Sequence, residues 1–189
     1  MRVIAGTARR MQLVTPDGRD TRPTQDIIKE TLFNMIQFDI PGCVFADLCA
    51  GSGGIGIEAL SRGAKTAYFA ENGREPIRCI QENLRKTHFE ENGVVLKMDV
   101  LSALRHIHEK QVDIIYLDPP YASDIVKNTM AMLAQMPYVT EDTVIIVETS
   151  LDSDVDYMED LGFTIYREKD YRSQRHLFIR RTRQDQAPM

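Results

Sequence analysis

The sequence predicts an α/β protein built on a doubly wound, mostly parallel sheet of seven strands. From Val44 onward, apolar runs of strand length alternate with amphipathic segments of helix length. This alternation is typical of a parallel sheet with helices on both faces, because right-handed crossovers carry each helix back over the sheet. Two strand-like segments, 163–169 and 175–181, then follow each other without a helix between them. They predict an antiparallel pair at one edge of the sheet.

Hydrophobic periodicity, together with the turn residues between periodic segments, places the elements of this sheet. Strands are predicted at 44–48, 66–71, 93–98, 112–117 and 143–148. Helices are predicted at 54–62, 74–88, 100–109, 123–135 and 152–161.

A hairpin and a helix are predicted before the sheet. Residues 1–22 contain two strand-like stretches, with Arg9 and Arg10 at the predicted tip between them. A helix is predicted from about Gln25 to Phe38, with Thr24 as its N-cap. We therefore expect an N-terminal arm at 1–24, a main domain at 25–183 and a frayed tail at 184–189.

The composition predicts a globular protein of the cytoplasm. With 43% hydrophobic residues among 189, the chain is long enough to bury one sizeable core. No apolar run reaches membrane-spanning length, and the first residues contain no hydrophobic stretch of signal-peptide length. The three cysteines form no Cys-x-x-Cys pair, so they predict buried thiols and neither a disulfide framework nor a zinc site.

The charge distribution separates two basic ends from an acidic middle. The whole chain has a net charge of −5, but residues 1–22 have a net charge of +3 and residues 164–183 one of +5. The middle, 23–163, has a net charge of −12. Basic ends on an acidic body predict a localised face for an anionic partner such as nucleic acid. Solvated termini are the alternative.

A glycine-rich turn follows the first predicted strand. Gly51, Gly53 and Gly56 fit the pattern G-x-G-x-x-G, and Glu71 lies twenty residues after Gly51. Glycines at these places let the backbone approach a nucleotide-like ligand closely, where a side chain would obstruct the approach or strain φ. The motif predicts a nucleotide cofactor and leaves NAD and S-adenosylmethionine both open.

A second motif favours S-adenosylmethionine. The buried strand ending at Leu117 runs into Asp118-Pro119-Pro120-Tyr121, a stiff turn at a strand's carboxyl end. This sequence matches the signature of S-adenosylmethionine-dependent amino methyltransferases that act on nucleobases. Asp118 and the Pro119 carbonyl would accept the two hydrogens of the base's amine, and Tyr121 would stack on the base. Whether Asp118 removes a proton or only orients the amine is left open by the sequence.

The predicted cofactor residues follow successive strands. Asp47 would face the methionine end of the cofactor or organise the loop, Glu71 would accept the ribose hydroxyls, and Asp99 would meet the adenine amine. For Glu71 and Asp99 the alternative is a strand-end or N-cap acid. The whole predicted cofactor set is Asp47, Ala50, Gly51, Gly53, Glu71, Asn72, Asp99 and Val100.

No metal site is predicted. His106 and His108 are two residues apart on a predicted helix and therefore face different directions. His88 and His176 are isolated in the sequence.

The motifs together resemble those of one family. The stretches that carry the resemblance are 1–6 (MRVIAG), 21–24 (TRPT), 47–53 (DLCAGSG), 58–64 (EALSRGA) and 118–121 (DPPY). They are similar to the bacterial RsmD family of 16S rRNA guanine-N2 methyltransferases, and the similarity covers nearly the whole chain. Cys49 and the pair Asn72-Gly73 depart from the residues usual in that family.

The resemblance implies the substrate and further site residues. It implies methyl transfer from S-adenosylmethionine to the 2-amino group of a guanine in 16S rRNA, within a partly assembled small subunit. By position, Arg22 and Thr24 would lie near the target base, and Arg9 and Arg10 would touch RNA phosphates. We expect a monomer. The alternatives are an adenine amino methyltransferase acting on DNA or RNA, a non-catalytic RNA-binding assembly factor and, more distantly, an NAD-dependent dehydrogenase.

Overall fold

The structure of the protein, a computed structural model, describes residues 1–16, 23–119 and 124–183. Its helices are α1 (Pro23–Met35), α2 (Gly54–Ser61), α3 (Arg74–Thr87), α4 (Val100–Leu104), α5 (Ile125–Leu133) and α6 (Tyr157–Asp160). Its strands are β1 (Val44–Leu48), β2 (Thr66–Glu71), β3 (Gly93–Lys97), β4 (Ile114–Leu117), β5 (Val144–Thr149), β6 (Phe163–Asp170) and β7 (Arg175–Arg181).

The strands form one seven-stranded sheet in the order β3-β2-β1-β4-β5-β7-β6. Strands β1 to β5 pair in parallel, whereas β7 runs antiparallel to both β5 and β6. The predicted fold class, including the antiparallel pair at one edge, is therefore confirmed. Because the strand order reverses between β1 and β4, a crevice opens at the carboxyl ends of these two strands.

Each face of the sheet is covered by a hydrophobic core. On one face, apolar side chains of α1, α2 and α3 pack on Phe45, Ile114 and Ile146 of the central strands. On the other face, α4, α5 and α6 pack on the alternating positions, among them Ala46 and Ile115. Every residue of β1, β4 and β5 is buried, as expected for parallel strands covered on both sides. Within the described residues, no helix has the length and apolar character needed to cross a bilayer.

Three helices differ from their predicted bounds by three residues or more at one end. Helix α1 begins at Pro23, which suits the first helical position, so Thr24 lies in the first turn and is not the N-cap. The helix predicted at 100–109 ends already at Leu104, and the one predicted at 152–161 is reduced to α6. Before α6, the Asp154 carboxylate accepts a hydrogen bond from Asp156 N at 3.0 Å. Such local side-chain bonds compete with helical ones.

The N-terminal segment is packed on the domain. A single antiparallel bridge joins Arg2 to Gln12, and the side chains of Val3, Ala8 and Leu13 are buried in the core shared with α1 and α2. At its tip, Thr7 N donates to the carbonyl of Ser61, the last residue of α2, at 2.8 Å. The predicted hairpin is therefore present as a short, docked turn.

A buried carboxylate, Glu58 of α2, joins this segment to α1. It accepts hydrogen bonds from Ile4 N at 2.8 Å, from Ala5 N at 3.0 Å and from Arg62 Nε at 2.8 Å. It also pairs with Lys29 Nζ of α1 at 3.3 Å. Lys29 is only 5% exposed, and burial lowers the pKa of its ammonium group while the Glu58 charge raises it. This cluster holds α1 in place beside the crevice.

Candidate active site

A cleft of about 990 Å³ lies at the carboxyl ends of the parallel strands. Its floor is formed by the ends of β1, β2, β4 and β5, at the point where the strand order reverses. Gln25 and Lys29 of α1 line one side, and Met1 and Thr15 of the N-terminal segment lie near them. The glycine turn and the Asp118-Pro119 turn both open into this cleft. The two motifs are thus brought together, although they are far apart in the sequence.

The glycine turn after β1 needs glycine for two different reasons. Gly51 and Gly53 have φ values of +56° and +80°, a left-handed conformation that other residues adopt at a cost. A Cβ at Gly51 would meet no described atom within 4 Å, so the backbone is open on its cleft side. Gly56 lies deeper, where a Cβ would overlap the ring of Phe69. Gly56 therefore allows α2 to pack closely on β2.

Glu71, at the end of β2, organises the turn. Its Oε2 accepts a hydrogen bond from Gly51 N at 2.9 Å, and its Oε1 accepts from Asn72 N at 2.9 Å and from Gly73 N at 2.8 Å. The half-buried carboxylate also lines the cleft. These three bonds use both lone pairs of Oε1 and one of Oε2, so Oε2 keeps one lone pair for a ligand hydroxyl.

Asp47, at the end of β1, lies beneath the turn. It is 1% exposed, and its Oδ2 accepts a hydrogen bond from Gly56 N at 2.8 Å. Burial raises the pKa of this carboxyl well above its usual range; the hydrogen bond from Gly56 opposes the shift, whereas the charges of Asp118 and Glu71 add to it. Of its two predicted roles, the bond to Gly56 corresponds to organising the loop.

Asp99 and Val100 lie at the start of α4. Asp99 is the N-cap of this helix, because it accepts hydrogen bonds from Ser102 N at 2.9 Å and from Ser102 Oγ at 2.7 Å. These bonds lower the pKa of its exposed carboxyl. Both residues line the cleft. The N-cap alternative for Asp99 is therefore observed, and its contact with adenine stays a prediction.

The remaining predicted cofactor residues also lie at the cleft. Ala50 N donates to the carbonyl of Ala70 at 3.0 Å, which fastens the turn to β2. Asn72 is exposed at the cleft wall. Cys49, one of the departures from the family pattern, lines the cleft with a φ of +62°. Burial and the negative charges of Glu71, Asp118 and Asp47 raise the pKa of its thiol to about 12.

The Asp-Pro-Pro-Tyr motif is described in part. Asp118 is exposed and Pro119 is buried, and both line the cleft directly after β4. Pro120 and Tyr121 lie outside the described residues. The predicted stacking on Tyr121 therefore stays a prediction.

Sequence reasoning missed a group of buried polar side chains beside Asp118. The Tyr116 hydroxyl donates to Glu148 Oε2 at 2.9 Å, and His176 Nε2 lies 2.9 Å from the same oxygen. The Tyr171 hydroxyl lies 3.4 Å from His176 Nδ1. Glu148 and His176 face each other because β5 and β7 pair in that register. Isolated in the sequence, His176 is part of a network in the fold, which no local pattern could have indicated.

Of the predicted RNA-contacting residues, the structure describes Arg9, Arg10 and the backbone of Thr24. Arg9 and Arg10 are exposed on the turn that packs against the end of α2, and neither lines the cleft. The backbone of Thr24 belongs to α1. The side chain of Thr24 and the whole of Arg22 lie outside the described residues. Their contacts with RNA stay predictions.

Over the parts of the chain that the structure describes, no group of three or more His, Cys, Asp or Glu side chains could hold a metal ion. Among the carboxylates of the cleft, Glu71 and Asp47 accept hydrogen bonds from backbone N–H groups, and Glu148 bonds to Tyr116 and His176.

Comparison with known proteins identifies the family. The family model described as "Conserved hypothetical protein 95" matches residues 1–180. The candidate rRNA methyltransferase YlbH of Bacillus subtilis is 34% identical over 172 residues, which cover 90% of this chain and 92% of YlbH. The ribosomal RNA small subunit methyltransferase D of Haemophilus influenzae is 31% identical, with 89% of this chain and 88% of that protein covered.

A solved structure extends the similarity to the fold. The candidate methyltransferase yhhF from Escherichia coli superposes with a TM-score of 0.81 at 28% identity, covering 97% of this chain and 99% of that one. The fold is thus that of the S-adenosylmethionine-dependent methyltransferases. Taken with the family match over nearly its full length, this similarity shows that the chain belongs to the RsmD family.

Proposed function

We propose that the protein transfers a methyl group from S-adenosylmethionine to the exocyclic 2-amino group of a guanine in 16S rRNA. The observation that carries this proposal is that Asp118 and Pro119 open into the same cleft as the glycine turn. A cofactor on the turn and a base at Asp118 would therefore meet inside one enclosure. Relatives named as small-subunit rRNA methyltransferases give the substrate class.

The cleft residues fit S-adenosylmethionine. The open backbone at Gly51 admits a ligand. Glu71 Oε2 retains one lone pair for a ribose hydroxyl, and Asp99 retains lone pairs for the adenine amine. Val100 supplies a backbone N–H at the start of α4. When bound, the cofactor supplies a sulfonium methyl group whose C–S bond breaks with its electron pair staying on sulfur, as the amine nitrogen bonds the methyl carbon and releases one proton.

Asp118 and Pro119 would prepare the amine for this reaction. The 2-amino group of guanine is a poor nucleophile because its lone pair is delocalised into the ring. Hydrogen bonds from the amine to the Asp118 carboxylate and the Pro119 carbonyl would localise that lone pair and direct it at the methyl carbon. Asp118 is exposed in the cleft and can also take up the released proton.

The RNA would reach the cleft past the N-terminal segment. Met1, Thr15 and Pro16 line the cleft, while the exposed Arg9 and Arg10 lie farther out, where RNA flanking the target base would run. We assign residues 1–24 as the RNA-contacting arm of the enzyme. A partly assembled subunit in the cytoplasm, bound by a monomer, is the substrate that suits these short basic ends.

The test uses purified protein, labelled S-adenosylmethionine and small subunits that lack the modification. We expect label in N2-methylguanosine of 16S rRNA, and a loss of about 10²- to 10³-fold in kcat for Asp118→Asn. Asp142→Asn, an exposed acid between α5 and β5, is the matched control and should keep full activity.

Two other outcomes would overturn parts of the proposal. Label in an adenine would retain the site and refute the guanine substrate. Tight cofactor binding with no label in any subunit precursor would leave a non-catalytic RNA-binding protein.

A further inference from the structure

Glu148 lies next to Asp118 in the cleft. The parallel pairing of β4 with β5 aligns Leu117 with Val147, so Asp118 and Glu148 each come one residue after this aligned pair. Neighbouring strands are about 4.8 Å apart, and aligned residues project to the same face of a sheet. Both side chains line the cleft, and both of their charges act on Tyr116.

The carboxylate of Glu148 is held in a fixed orientation. Tyr116 and His176 both bond its Oε2 at 2.9 Å. Glu148 is 8% exposed, and His176 is fully buried and contacts the Tyr171 hydroxyl on its other side. Burial and the charges of Glu148 and Asp118 raise the pKa of Tyr116 well above its usual range, so the phenol remains a donor. Two bonds to one oxygen fix the plane of the carboxylate, and they use two of its about four acceptor sites.

The base edge beside the reacting amine distinguishes guanine from adenine. In guanine, the ring nitrogen N1 carries a hydrogen and lies next to the 2-amino group. In adenine, the N1 next to the 6-amino group has no hydrogen and is an acceptor. A carboxylate beside the amine-binding group therefore attracts guanine and repels adenine.

We propose that Glu148 is a specificity-determining residue that accepts a hydrogen bond from N1–H of the target guanine. The inference rests on the proposed function, because it places the 2-amino group of the same guanine at Asp118 and Pro119. Tyr116 and His176 are positioning residues, which act by orienting Glu148. Asp118 would accept a hydrogen bond from the 2-amino group, and Glu148 would accept one from the adjacent N1–H. The two carboxylates would thus recognise two neighbouring donors of guanine.

The substitution Glu148→Gln gives a sharp test because of the donors that surround it. Tyr116 donates to the side chain at this position, and it would hold the amide oxygen of glutamine in the place of Oε2. The amide NH₂ would then take the place of Oε1 and present a donor where the wild type presents an acceptor. Glu148→Gln should therefore favour a base with an acceptor at N1.

The substrate pair is guanine and 2-aminopurine, placed at the mapped target nucleotide of ligated 16S rRNA. 2-Aminopurine keeps the 2-amino group, but its N1 is an acceptor. Wild type should prefer guanine in kcat/KM by about 100-fold or more, because a site built to bond a donor rejects the analogue without it. Glu148→Gln should reduce this preference to less than about tenfold. 2-Aminopurine also lacks the 6-oxygen of guanine, but this loss affects wild type and Glu148→Gln alike. Dividing the wild-type preference by that of the variant therefore removes its contribution.

Matched controls separate specificity from folding. Glu109→Gln removes a carboxylate that accepts from the Tyr68 hydroxyl at 2.8 Å, a similar pair outside the cleft lining, and should leave the preference unchanged. Tyr116→Phe should reduce the preference about fivefold to tenfold without changing cofactor affinity. If Glu148→Gln does not fold, the preference of Tyr116→Phe for guanine over 2-aminopurine is measured in its place.

The outcomes distinguish the two proposals. If wild type methylates neither RNA, the proposed function fails. If wild type methylates guanine and Glu148→Gln or Tyr116→Phe, although folded and binding cofactor, keeps the full preference over 2-aminopurine, the role of Glu148 is refuted.

Discussion

Replacing Glu58 by glutamine should destabilise the protein more than any change of comparable size on its surface. Glu58 is fully buried and compensates the charges of Lys29 and Arg62, while it also accepts from the backbone N–H groups of Ile4 and Ala5. Glutamine keeps the shape of the side chain but carries no charge and has a single acceptor oxygen. Lys29, only 5% exposed, is then left without its counter-ion.

The expected loss is about 3 kcal/mol in the free energy of unfolding, at the lower end of the 3–5 kcal/mol measured when one partner of a buried pair is removed. Lys29 limits the loss, because burial already lowers the pKa of its ammonium group and a neutral amine needs no counter-ion. For a chain of this size the loss corresponds to a decrease in Tm of about 6 to 12 °C.

The assay is urea unfolding of wild type, Glu58→Gln and Glu90→Gln, an exposed acid after α3 that serves as the matched control. The loss for Glu58→Gln should shrink as the pH rises from 7 towards 10. Without Glu58 the pKa of Lys29 falls further, so the folded variant sheds this proton at a lower pH than wild type does. The double variant Glu58→Gln/Lys29→Met should be more stable than the sum of the two single changes predicts.

A loss below about 1 kcal/mol with an unchanged m-value would refute this reasoning, since no ordinary buried ion pair is lost so cheaply. Additive effects in the double variant would equally show that Lys29 and Glu58 are not coupled.

Three further predictions concern the cleft. Asp47→Asn should raise the free energy of unfolding of the ligand-free protein, because burial raises the folded-state pKa of Asp47 and penalises its ionisation. The gain should be absent below pH 3.8, the ordinary pKa of the carboxyl, and should grow as the pH rises above that value. Urea unfolding at a series of pH values would measure it. A gain that does not depend on pH would contradict the burial of this charge. Cys49 should react slowly with iodoacetamide at pH 8, because a thiol with a pKa of about 12 is ionised in only about one molecule in ten thousand; Asp118→Asn removes one of the charges that raise this pKa and should accelerate the labelling, as followed by peptide mass spectrometry, and an unchanged rate would refute the electrostatic coupling. Asp99→Ala should lower the free energy of unfolding by about 1 kcal/mol through loss of the α4 N-cap, whereas Asp99→Asn, which retains the capping oxygen, should not. Isothermal titration with S-adenosylmethionine then tests the proposed contact with adenine. If Asp99 makes that contact, both variants should bind the cofactor more weakly than wild type.

Much of the fold could be predicted because its elements are encoded locally. The bounds of β1 and β2 agree with those predicted, since each is a largely apolar run with an acid at or next to its last residue. The glycine turn was recognisable because Gly51 and Gly53 adopt conformations that few other residues tolerate. The parallel direction of β1 to β5 followed from the alternation of strands and helices, whereas the order of the strands in the sheet came from the structure.

The lengths of the short helices could not be predicted in the same way. Periodicity predicted a helix over 100–109, but α4 ends at Leu104. It also predicted a helix over 152–161, where only α6 forms and the residues before it include a local bond from Asp156 N to the Asp154 carboxylate. Periodicity measures where apolar side chains fall, and it does not measure the competition between helical and local hydrogen bonds.

By itself, the sequence determined the fold class, the two motifs and the family resemblance, because each depends on residues that are close together in the chain. The tertiary structure alone decided which carboxylates bond to the backbone of the glycine turn, how Glu58 fastens α1 beside the cleft, and that His176 meets Glu148. The last pair comes from the register of β5 against β7, two strands separated by a helix and a further strand. Neither strand's pattern contains that register, which is set by the packing of the whole sheet.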